Sequence, residues 1–209
     1  MLQLLAEDPR SLTSVRDPRE AWRAHVADSL TGLEVSTIHS ARMIGDVGSG
    51  AGFPGFVLAA ALPAAQVDLI ESVGRKCDFM RDASARAGIE NVRVIHARSE
   101  EHAAGAGREA YDVVTARAVA RLATLAELAS PLLREGGTLI AWKGRRDPDE
   151  EAELGRASES LAMAPRKILE VGERAGYEHR HLHMARKISR TPEGLPRRPG
   201  VAKKRPYGT

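Results

Sequence analysis

The sequence predicts an α/β fold in which a mainly parallel sheet ends in an antiparallel hairpin at its C-terminal edge. From residue 42 onward, short apolar runs typical of buried strands alternate with helical segments. Such alternation favours a parallel sheet with helices on both faces. The last two strand patterns, 167–172 and 179–188, are separated by a short turn at Gly176-Tyr177, which favours a hairpin. A chain of 209 residues with 43% hydrophobic and 28% charged residues suits one domain of this kind.

The elements follow in order from the N-terminal side. After an ambiguous stretch over residues 1–13, Asp17-Pro18 begins a helix that extends to about Leu33, because proline suits the first helical turn. Five strands are then predicted from apolar runs over 43–47, 66–71, 91–97, 111–117 and 136–144. The helices predicted between and after them cover 54–62, 75–87, a short segment after Ser99, 122–133 and 147–161. We therefore expect an N-terminal helical segment (1–40), a Rossmann-like domain (41–190) and a basic C-terminal tail (191–209).

The basic residues are concentrated at the C-terminal end. Of the 31 Lys and Arg residues and the 28 Asp and Glu residues, eight basic and one acidic residue lie after residue 185, so the preceding part carries a net charge of −4. A mildly acidic body with a basic tail is typical either of a solvated, disordered tail or of an arm that binds nucleic-acid phosphates. Cys77 has no second cysteine to pair with, and the longest apolar run, 56–62, is too short to span a bilayer. We expect a soluble, cytoplasmic monomer that does not bind membranes.

A glycine-rich loop follows the first predicted strand and reads DVGSGAG from Asp46 to Gly52. Glycines let the backbone turn sharply and approach a ligand closely, and such loops at strand ends bind nucleotides in α/β sheets. Gly50, Gly52 and Gly55 also satisfy the G-x-G-x-x-G pattern of dinucleotide-binding proteins. An acidic residue two positions before the first glycine, here Asp46, is instead typical of methyltransferases, whereas dehydrogenases normally carry an apolar residue there. The loop therefore favours S-adenosylmethionine over a nicotinamide cofactor, with a purely structural turn as the remaining alternative.

Polar residues also follow the second and third predicted strands. Glu71 closes the second strand and is suited to accept hydrogen bonds from both ribose hydroxyls of a bound nucleoside. Ser99 and Glu100 follow the third strand, where an adenine would lie, although Ser99 is equally suited to cap a helix. The seven histidines form no cluster with the single cysteine, so we predict no metal site.

Several longer segments together point to one family. DVGSGAGFPGFVLA, LIESVGRKCDFM, ARSEE, VTARAVA and LIAWKG occur in this order, with REAWRAHVADSL upstream and LPRRPGVAKKRP near the end. Over residues 15–206 these segments closely resemble the bacterial glucose-inhibited division protein B family, also called RsmG. The resemblance implies a Rossmann-like methyltransferase that uses S-adenosyl-L-methionine to methylate N7 of a guanine in the 16S ribosomal RNA of the small ribosomal subunit. In one departure, the chain reads Ser11-Leu12-Thr13 where the family usually has a longer N-terminal helical portion that ends in N-L-T.

The residues and the resemblance together give one set of cofactor contacts and one set of RNA contacts. Cofactor binding is expected at Asp46, Gly48, Gly50, Gly52, Phe53, Glu71, Ser72, Ser99, Glu100 and Arg117. RNA binding is expected at His25, Asp28, Ser29, Lys143, Arg145, Arg197, Arg198 and Lys203. The roles of some of these residues are what the resemblance alone implies: Phe53, Ser72, Arg117, His25, Asp28 and Ser29.

No catalytic acid or base is predicted. Guanine N7 carries a lone pair and no proton, so its attack on a sulfonium methyl needs no general base and depends mainly on positioning and desolvation. A carboxylate, that of Asp28 or Asp46, is hypothesised to stabilise the cationic methylated base. We expect the tail to supply RNA affinity without affecting cofactor affinity. Two other functions stay open: a methyltransferase for small molecules, and a non-catalytic factor that binds ribosomal RNA during subunit assembly.

Overall fold

The computed structural model describes residues 2–8, 15 and 17–209, so the Ser11-Leu12-Thr13 stretch lies outside the described residues. The strands are β1 (Met43–Val47), β2 (Gln66–Glu71), β3 (Val92–His96), β4 (Tyr111–Arg117), β5 (Leu133–Lys143), β6 (Met163–Glu170) and β7 (His181–Lys187). They form one sheet in the order β3-β2-β1-β4-β5-β7-β6. The first five strands pair in parallel, whereas β7 is antiparallel to both β5 and β6. This confirms the predicted fold class, a mainly parallel sheet with an antiparallel edge.

The helices pack on both faces of this sheet and bury two apolar clusters. They are α1 (Leu2–Glu7), α2 (Pro18–Ala21), α3 (Asp28–Leu30), α4 (Gly55–Ala61), α5 (Gly74–Ala87), α6 (Ser99–Ala103), α7 (Leu122–Ala129), α8 (Pro148–Leu161), α9 (Gly172–Ala175) and α10 (Val201–Lys204). Within the described ranges, no helix combines the length and the apolar character needed to cross a bilayer. The strand order reverses between β1 and β4, and open α/β sheets bind their ligands at the carboxyl ends of the strands at such a point.

Three predicted boundaries differ from the structure by three residues or more. The helix predicted over 122–133 ends at Ala129, because Pro131 has no amide hydrogen and its ring clashes with the preceding turn of a helix. The chain instead enters β5 at Leu133, three residues before the predicted start of that strand. Strand β6 also begins at Met163, four residues before the predicted start. In both cases pairing with a neighbouring strand extends the strand beyond its apolar run.

The N-terminal segment before β1 is helical but irregular. Asp17 caps α2, because its carboxylate accepts hydrogen bonds from the amides of Arg19 (2.9 Å) and Glu20 (2.8 Å). A π-helical turn over Trp22–Ala27 separates α2 from α3, and 3-10 turns then continue to Ser40. The prediction that the chain is helical from Asp17 to about Leu33 is therefore confirmed. The segment is not one regular α-helix, however, but a succession of short α, π and 3-10 turns. Such π turns occur often at functional sites.

Trp142 joins this N-terminal segment to the sheet. Its indole is 1% exposed on β5, and its Nε1 donates hydrogen bonds to the Asp28 carbonyl (2.9 Å) and the Thr31 hydroxyl (3.1 Å). The ring lies so close to Gly32 that a Cβ atom there would be 2.7 Å from the indole. Trp22, in contrast, is 53% exposed on the outer side of the segment.

A buried polar network crosses the sheet from β3 to β4. Asp68 on β2 is fully buried and accepts hydrogen bonds from the Arg93 guanidinium (3.0 and 2.5 Å) and from the Tyr111 hydroxyl (2.7 Å). His102 lies 2.7 Å from the same hydroxyl. The Tyr111 ring passes over Gly45 of β1, where a Cβ atom would lie 3.1 Å from it. Burial and the neighbouring carboxylate raise the pKa of Tyr111, so its hydroxyl remains a donor.

We predict that Tyr111→Phe lowers the free energy of unfolding by about 1–2 kcal/mol, because Asp68 loses a hydrogen bond that water cannot replace. Urea denaturation followed by circular dichroism measures the change. Tyr207→Phe is the matched control, because the Tyr207 ring packs against Arg197 and is retained in that variant. Equal changes in both variants would show that the buried hydroxyl contributes nothing specific.

Candidate active site

The loop after β1 has a backbone that glycine accommodates best. Gly48, Gly50 and Gly52 have φ values of +66°, +62° and +93°, in the region that other residues rarely adopt. A Cβ atom on Gly48 would lie 2.8 Å from Val119, and one on Gly52 would lie 2.1 Å from the Phe56 ring. A Cβ atom on Gly50 would meet nothing closer than 3.9 Å. Gly48 and Gly52 thus permit close packing of the loop, whereas at Gly50 only the positive φ, and not a close neighbour, favours glycine.

The carboxylate of Asp46 connects this loop to β4 and α4. It is fully buried and accepts hydrogen bonds from the Thr115 hydroxyl on β4 (2.8 Å) and from the Gly55 amide at the start of α4 (3.2 Å). Burial raises the pKa of Asp46 to about 6, although these hydrogen bonds oppose the shift. Asp46 does not line the cavity described below. Its geometry is that of a residue that positions the loop.

Glu71, at the end of β2, joins the second strand to the same loop. Its carboxylate is 6% exposed and accepts hydrogen bonds from the amides of Gly50 (3.1 Å) and Val73 (2.9 Å). The Lys76 ammonium lies 3.8 Å away on α5. The sequence placed Glu71 at a strand end, and the structure brings it to within hydrogen-bonding distance of the glycine loop.

A cavity of about 210 Å³ opens beside Glu71 at the carboxyl ends of β1, β2 and β3. Five predicted cofactor residues line it: Gly48, Glu71, Ser72, Ser99 and Glu100. The other five lie outside the lining: Asp46 and Gly50 support the loop, Gly52 and Phe53 pack towards α4, and Arg117 faces the N-terminal segment. The ten predicted cofactor residues therefore fall into two groups: five that line the cavity and five that do not.

The wall also contains residues that the sequence did not indicate. Val119 and Ala120 follow β4, and Thr124 and Leu128 come from α7. The rule that ligands bind at the carboxyl ends of strands would have suggested Val119 and Ala120. Further wall residues come from the C-terminal segment, and nothing in the sequence placed that segment here.

Ser99 and Glu100 are turned towards each other at the start of α6. The Ser99 hydroxyl donates to the Glu100 carboxylate (3.1 Å), and Arg98 occupies the N-cap position. The alternative that Ser99 caps the helix is therefore wrong. The Arg98 amide is bound instead by the Glu101 carboxylate (3.0 Å).

The chemistry of the cavity fits a positively charged nucleoside. Its buried charged groups are the carboxylates of Glu71 and Glu100, and apolar side chains such as Ile70 and Leu128 complete the wall. A carboxylate at a strand end accepts hydrogen bonds from ribose hydroxyls, and an apolar wall suits the faces of an adenine ring. The cations of the wall, Arg98 and Lys203, are exposed, whereas the two carboxylates are buried, so the interior of the cavity suits a cationic sulfonium better than the pyrophosphate of a dinucleotide. Among the described residues, no group of His, Cys, Asp and Glu could hold a metal ion.

Arg117, at the end of β4, is held by the N-terminal segment. Its guanidinium donates to the Asp28 carboxylate (2.9 Å) and to the Ala24 carbonyl (2.7 Å). The other Asp28 oxygen lies 2.7 Å from Nε of Arg180, close enough for an ion pair but at an angle unsuited to a hydrogen bond. Asp28 is fully buried between these two arginines. Its charge is therefore already neutralised, which weighs against the hypothesis that it stabilises a cationic base.

His25 and Ser29 lie beside this ion pair. The imidazole of His25 stacks on the Phe53 ring, with 4.9 Å between centroids. Burial and the nearby Arg117 lower the pKa of His25, so the ring is neutral at physiological pH. The Ser29 hydroxyl is buried and donates to the His25 carbonyl. The predicted contact of His25, Asp28 and Ser29 with RNA stays a prediction.

Several predicted RNA contacts are engaged within the chain. Lys143 donates to the Glu150 carboxylate (2.6 Å), and Arg145 lies 2.9 Å from the His179 ring. Arg197 is bound by a buried glutamate, Arg198 is exposed, and Lys203 lines the cavity. The RNA-binding roles of these residues also stay predictions.

We predict that Asp46→Asn removes a pH dependence of stability. The pKa of Asp46 is higher in the folded chain (about 6) than in the unfolded one, so its contribution is fully present below about pH 4 and is lost as the pH rises through 6. Between pH 4 and pH 7, the free energy of unfolding of wild type should fall relative to Asp46→Asn by about 2 kcal/mol. If the difference in free energy of unfolding between wild type and Asp46→Asn were the same at pH 4 and pH 7, this prediction would be contradicted.

We also predict that Asp28→Ala lowers the free energy of unfolding by about 3 kcal/mol, because it leaves two neighbouring guanidinium groups without their shared carboxylate. Thermal and urea unfolding measure the loss. Asp82→Ala is the control, since Asp82 pairs with Arg86 at 3.8 Å on the surface, and such pairs contribute little. A loss no greater than that of the control would show that Asp28 does not hold the segment.

Comparisons with known proteins agree with this geometry. The family model for GidB, described as rRNA small subunit methyltransferase G, matches residues 2–183. The chain is 40% identical over 205 residues to ribosomal RNA small subunit methyltransferase G of Pelotomaculum thermopropionicum, covering 94% of this chain and 82% of that protein. It is 41% identical to the protein of the same name from Chloroflexus aggregans, covering 97% and 85%. The fold is similar to that of a SAM-dependent methyltransferase from Aquifex aeolicus, with a TM-score of 0.63 and 19% identity over 87% of this chain and 99% of that one. The chain therefore belongs to the GidB family of rRNA small subunit methyltransferases.

Proposed function

We propose that this protein transfers a methyl group from S-adenosyl-L-methionine to N7 of a guanine in the 16S ribosomal RNA of the small ribosomal subunit. The observation that carries the proposal is the cavity with two buried carboxylates at the carboxyl ends of β1, β2 and β3, which contains Glu71 and borders the glycine loop. Membership of the GidB family supports ribosomal RNA as the substrate.

The residues that would hold the cofactor follow from the cavity. Glu71 would accept the ribose hydroxyls, and Ser99 and Glu100 would contact the adenine edge. The loop at Gly48 and Gly50 would bring its backbone close to the methionine part. When bound, S-adenosylmethionine supplies an electrophilic methyl group on a cationic sulfur.

The residues around the cavity are suited to positioning rather than to proton transfer. Guanine N7 has no proton to lose, so the reaction needs a correctly oriented base and the exclusion of water. His25 is held neutral by burial and by Arg117, and it packs on Phe53 at the side of the loop. Arg117 is fixed by Asp28 near the end of β4, where a guanidinium is suited to bind a phosphate or the edge of a guanine.

Each of the three parts into which the sequence divides would have its own role. The segment over 1–40 would position Arg117, the domain over 41–190 would bind the cofactor, and the tail over 191–209 would contact RNA. A methyltransferase for small molecules is less consistent with the exposed cations at Arg198, Lys203 and Lys204, because these residues suit phosphates.

The proposal is tested by incubating the protein with radiolabelled S-adenosylmethionine and small ribosomal subunits that lack the modification. Label that maps to N7 of one 16S guanine is the expected result. Stable binding of the cofactor without label in the subunit would instead favour a small-molecule substrate or a non-catalytic assembly factor. Failure to bind the cofactor would contradict the proposed function altogether.

We predict that Glu71→Ala raises the Kd for S-adenosylmethionine by roughly tenfold to a hundredfold, because a charged acceptor for two hydroxyls is lost. Calorimetry measures the Kd directly. Glu90→Ala, at an exposed glutamate outside the cavity, is the control and should bind as wild type does. If Glu71→Ala bound S-adenosylmethionine as tightly as wild type does, Glu71 would not be a cofactor contact.

A further inference from the structure

The C-terminal arm, which we define as residues 195–207, forms part of the wall of the cofactor cavity. Gly200 and Lys203 line the same cavity as Glu71. The Gly200 amide donates a hydrogen bond to the Glu100 carboxylate over 2.9 Å, although 100 residues separate the two in sequence. The expectation of a basic tail that is independent of the cofactor site therefore does not match the geometry of the arm.

One arginine clamps the arm to the body of the protein. The Arg197 guanidinium donates to both carboxylate oxygens of Glu127 on α7, one of them at 2.6 Å, and Glu127 is 3% exposed. The same guanidinium donates to the Arg205 carbonyl (2.8 Å) and lies 4.3 Å from the centre of the Tyr207 ring. A bidentate, largely buried pair of this kind has a defined geometry, so it fixes where the arm lies.

Apolar contacts support the clamp at both ends of the arm. Leu195 is 5% exposed and Ala202 is 2% exposed, and both carbonyls accept hydrogen bonds from the body. The donors are Arg108 to Leu195 (3.1 Å) and the Thr124 hydroxyl to Ala202 (3.3 Å). Thr124 also lines the cavity, so the contact that holds the arm belongs to the cavity wall.

The outer face of the arm is cationic. Its exposed basic residues outside the cavity lining are Arg198, Lys204 and Arg205. Within the described ranges, none of these three side chains has a carboxylate within ion-pair distance. Unpaired, exposed cations on a fixed backbone are suited to neutralise the phosphates of an RNA.

We propose that the C-terminal arm belongs to both binding sites, closing the nucleoside end of the cofactor cavity with one face and contacting RNA phosphates with the other. The proposal rests on the proposed function. Each ligand would bind more tightly to the protein with its arm docked than with its arm released. By thermodynamic linkage, cofactor and RNA would then strengthen each other's binding by the same factor.

The first test releases the arm and measures binding of S-adenosylhomocysteine by calorimetry. Arg197→Gln removes the clamp, and if about one molecule in ten keeps its arm docked, the apparent Kd rises roughly tenfold. Arg86→Gln, which alters an exposed arginine of α5, should bind as wild type does. Circular dichroism checks that both variants are folded.

A second measurement needs no variant. Hydrogen exchange of the arm amides, including that of Gly200, should slow when wild-type protein is saturated with S-adenosylhomocysteine. Equal affinity of Arg197→Gln and wild type, together with unchanged exchange, would overturn the proposal and leave the proposed function intact. No binding of S-adenosylhomocysteine by wild type would overturn both.

The third test addresses the coupling with transcribed 16S ribosomal RNA as the probe. Saturating RNA should lower the Kd of wild type for S-adenosylhomocysteine at least threefold. The double variant Lys204→Gln/Arg205→Gln should lose this effect, and the slope of its RNA affinity against salt should be reduced by about two. An identical Kd with and without RNA would overturn the coupling.

Discussion

The buried carboxylate of Asp46 connects three elements on which the site depends. It accepts hydrogen bonds from Thr115 on β4 and from Gly55 at the start of α4, while its own backbone belongs to β1, one residue before the end of that strand. Gly55 permits this approach, because a Cβ atom there would lie 2.2 Å from Leu69 and 3.0 Å from the Asp46 carboxylate. The glycine loop is thereby fixed at both ends, and only a fixed loop can place the Gly50 amide on Glu71. The cost of burying a charge is tolerated because it holds the loop in place.

The buried acidic residues of the site have two different roles: some hold distant segments of the chain in place, and others line the cavity. Asp28 and Glu127 are each buried, and each binds an arginine from a distant part of the chain. Arg117 and Arg197 consequently hold an N-terminal and a C-terminal segment against the domain. Glu71 and Glu100 line the cavity instead, where they accept hydrogen bonds from the amides of the glycine loop and of the C-terminal arm.

The sequence predicted the sheet well because buried parallel strands are continuous apolar runs, and it located Glu71 and Ser99 through the rule on strand ends. It extended one helix through Pro131, where a local apolar pattern conflicted with the backbone chemistry of proline. The irregular turns before β1 depend on packing around Trp142 and were not visible as a pattern. Ion pairs such as that of Arg197, whose partner is 70 residues away, have no local signal at all. For that reason the sequence indicates Arg197 only as an RNA contact and gives no sign of its ion pair with Glu127.

The position of Trp142 has a spectroscopic consequence. The chain contains two tryptophans, and they occupy opposite environments: Trp142 is buried beneath the N-terminal segment, and Trp22 is half exposed on its outer side. We expect emission from the buried indole to be blue-shifted and protected from iodide, and emission from the exposed indole to be red-shifted and quenched. Because the Trp142 ring contacts Gly32 and its nitrogen binds the Asp28 carbonyl, detachment of the segment would expose it to water. The fluorescence of a Trp22→Phe protein would therefore report, without any added label, whether the segment that holds Arg117 is closed or open.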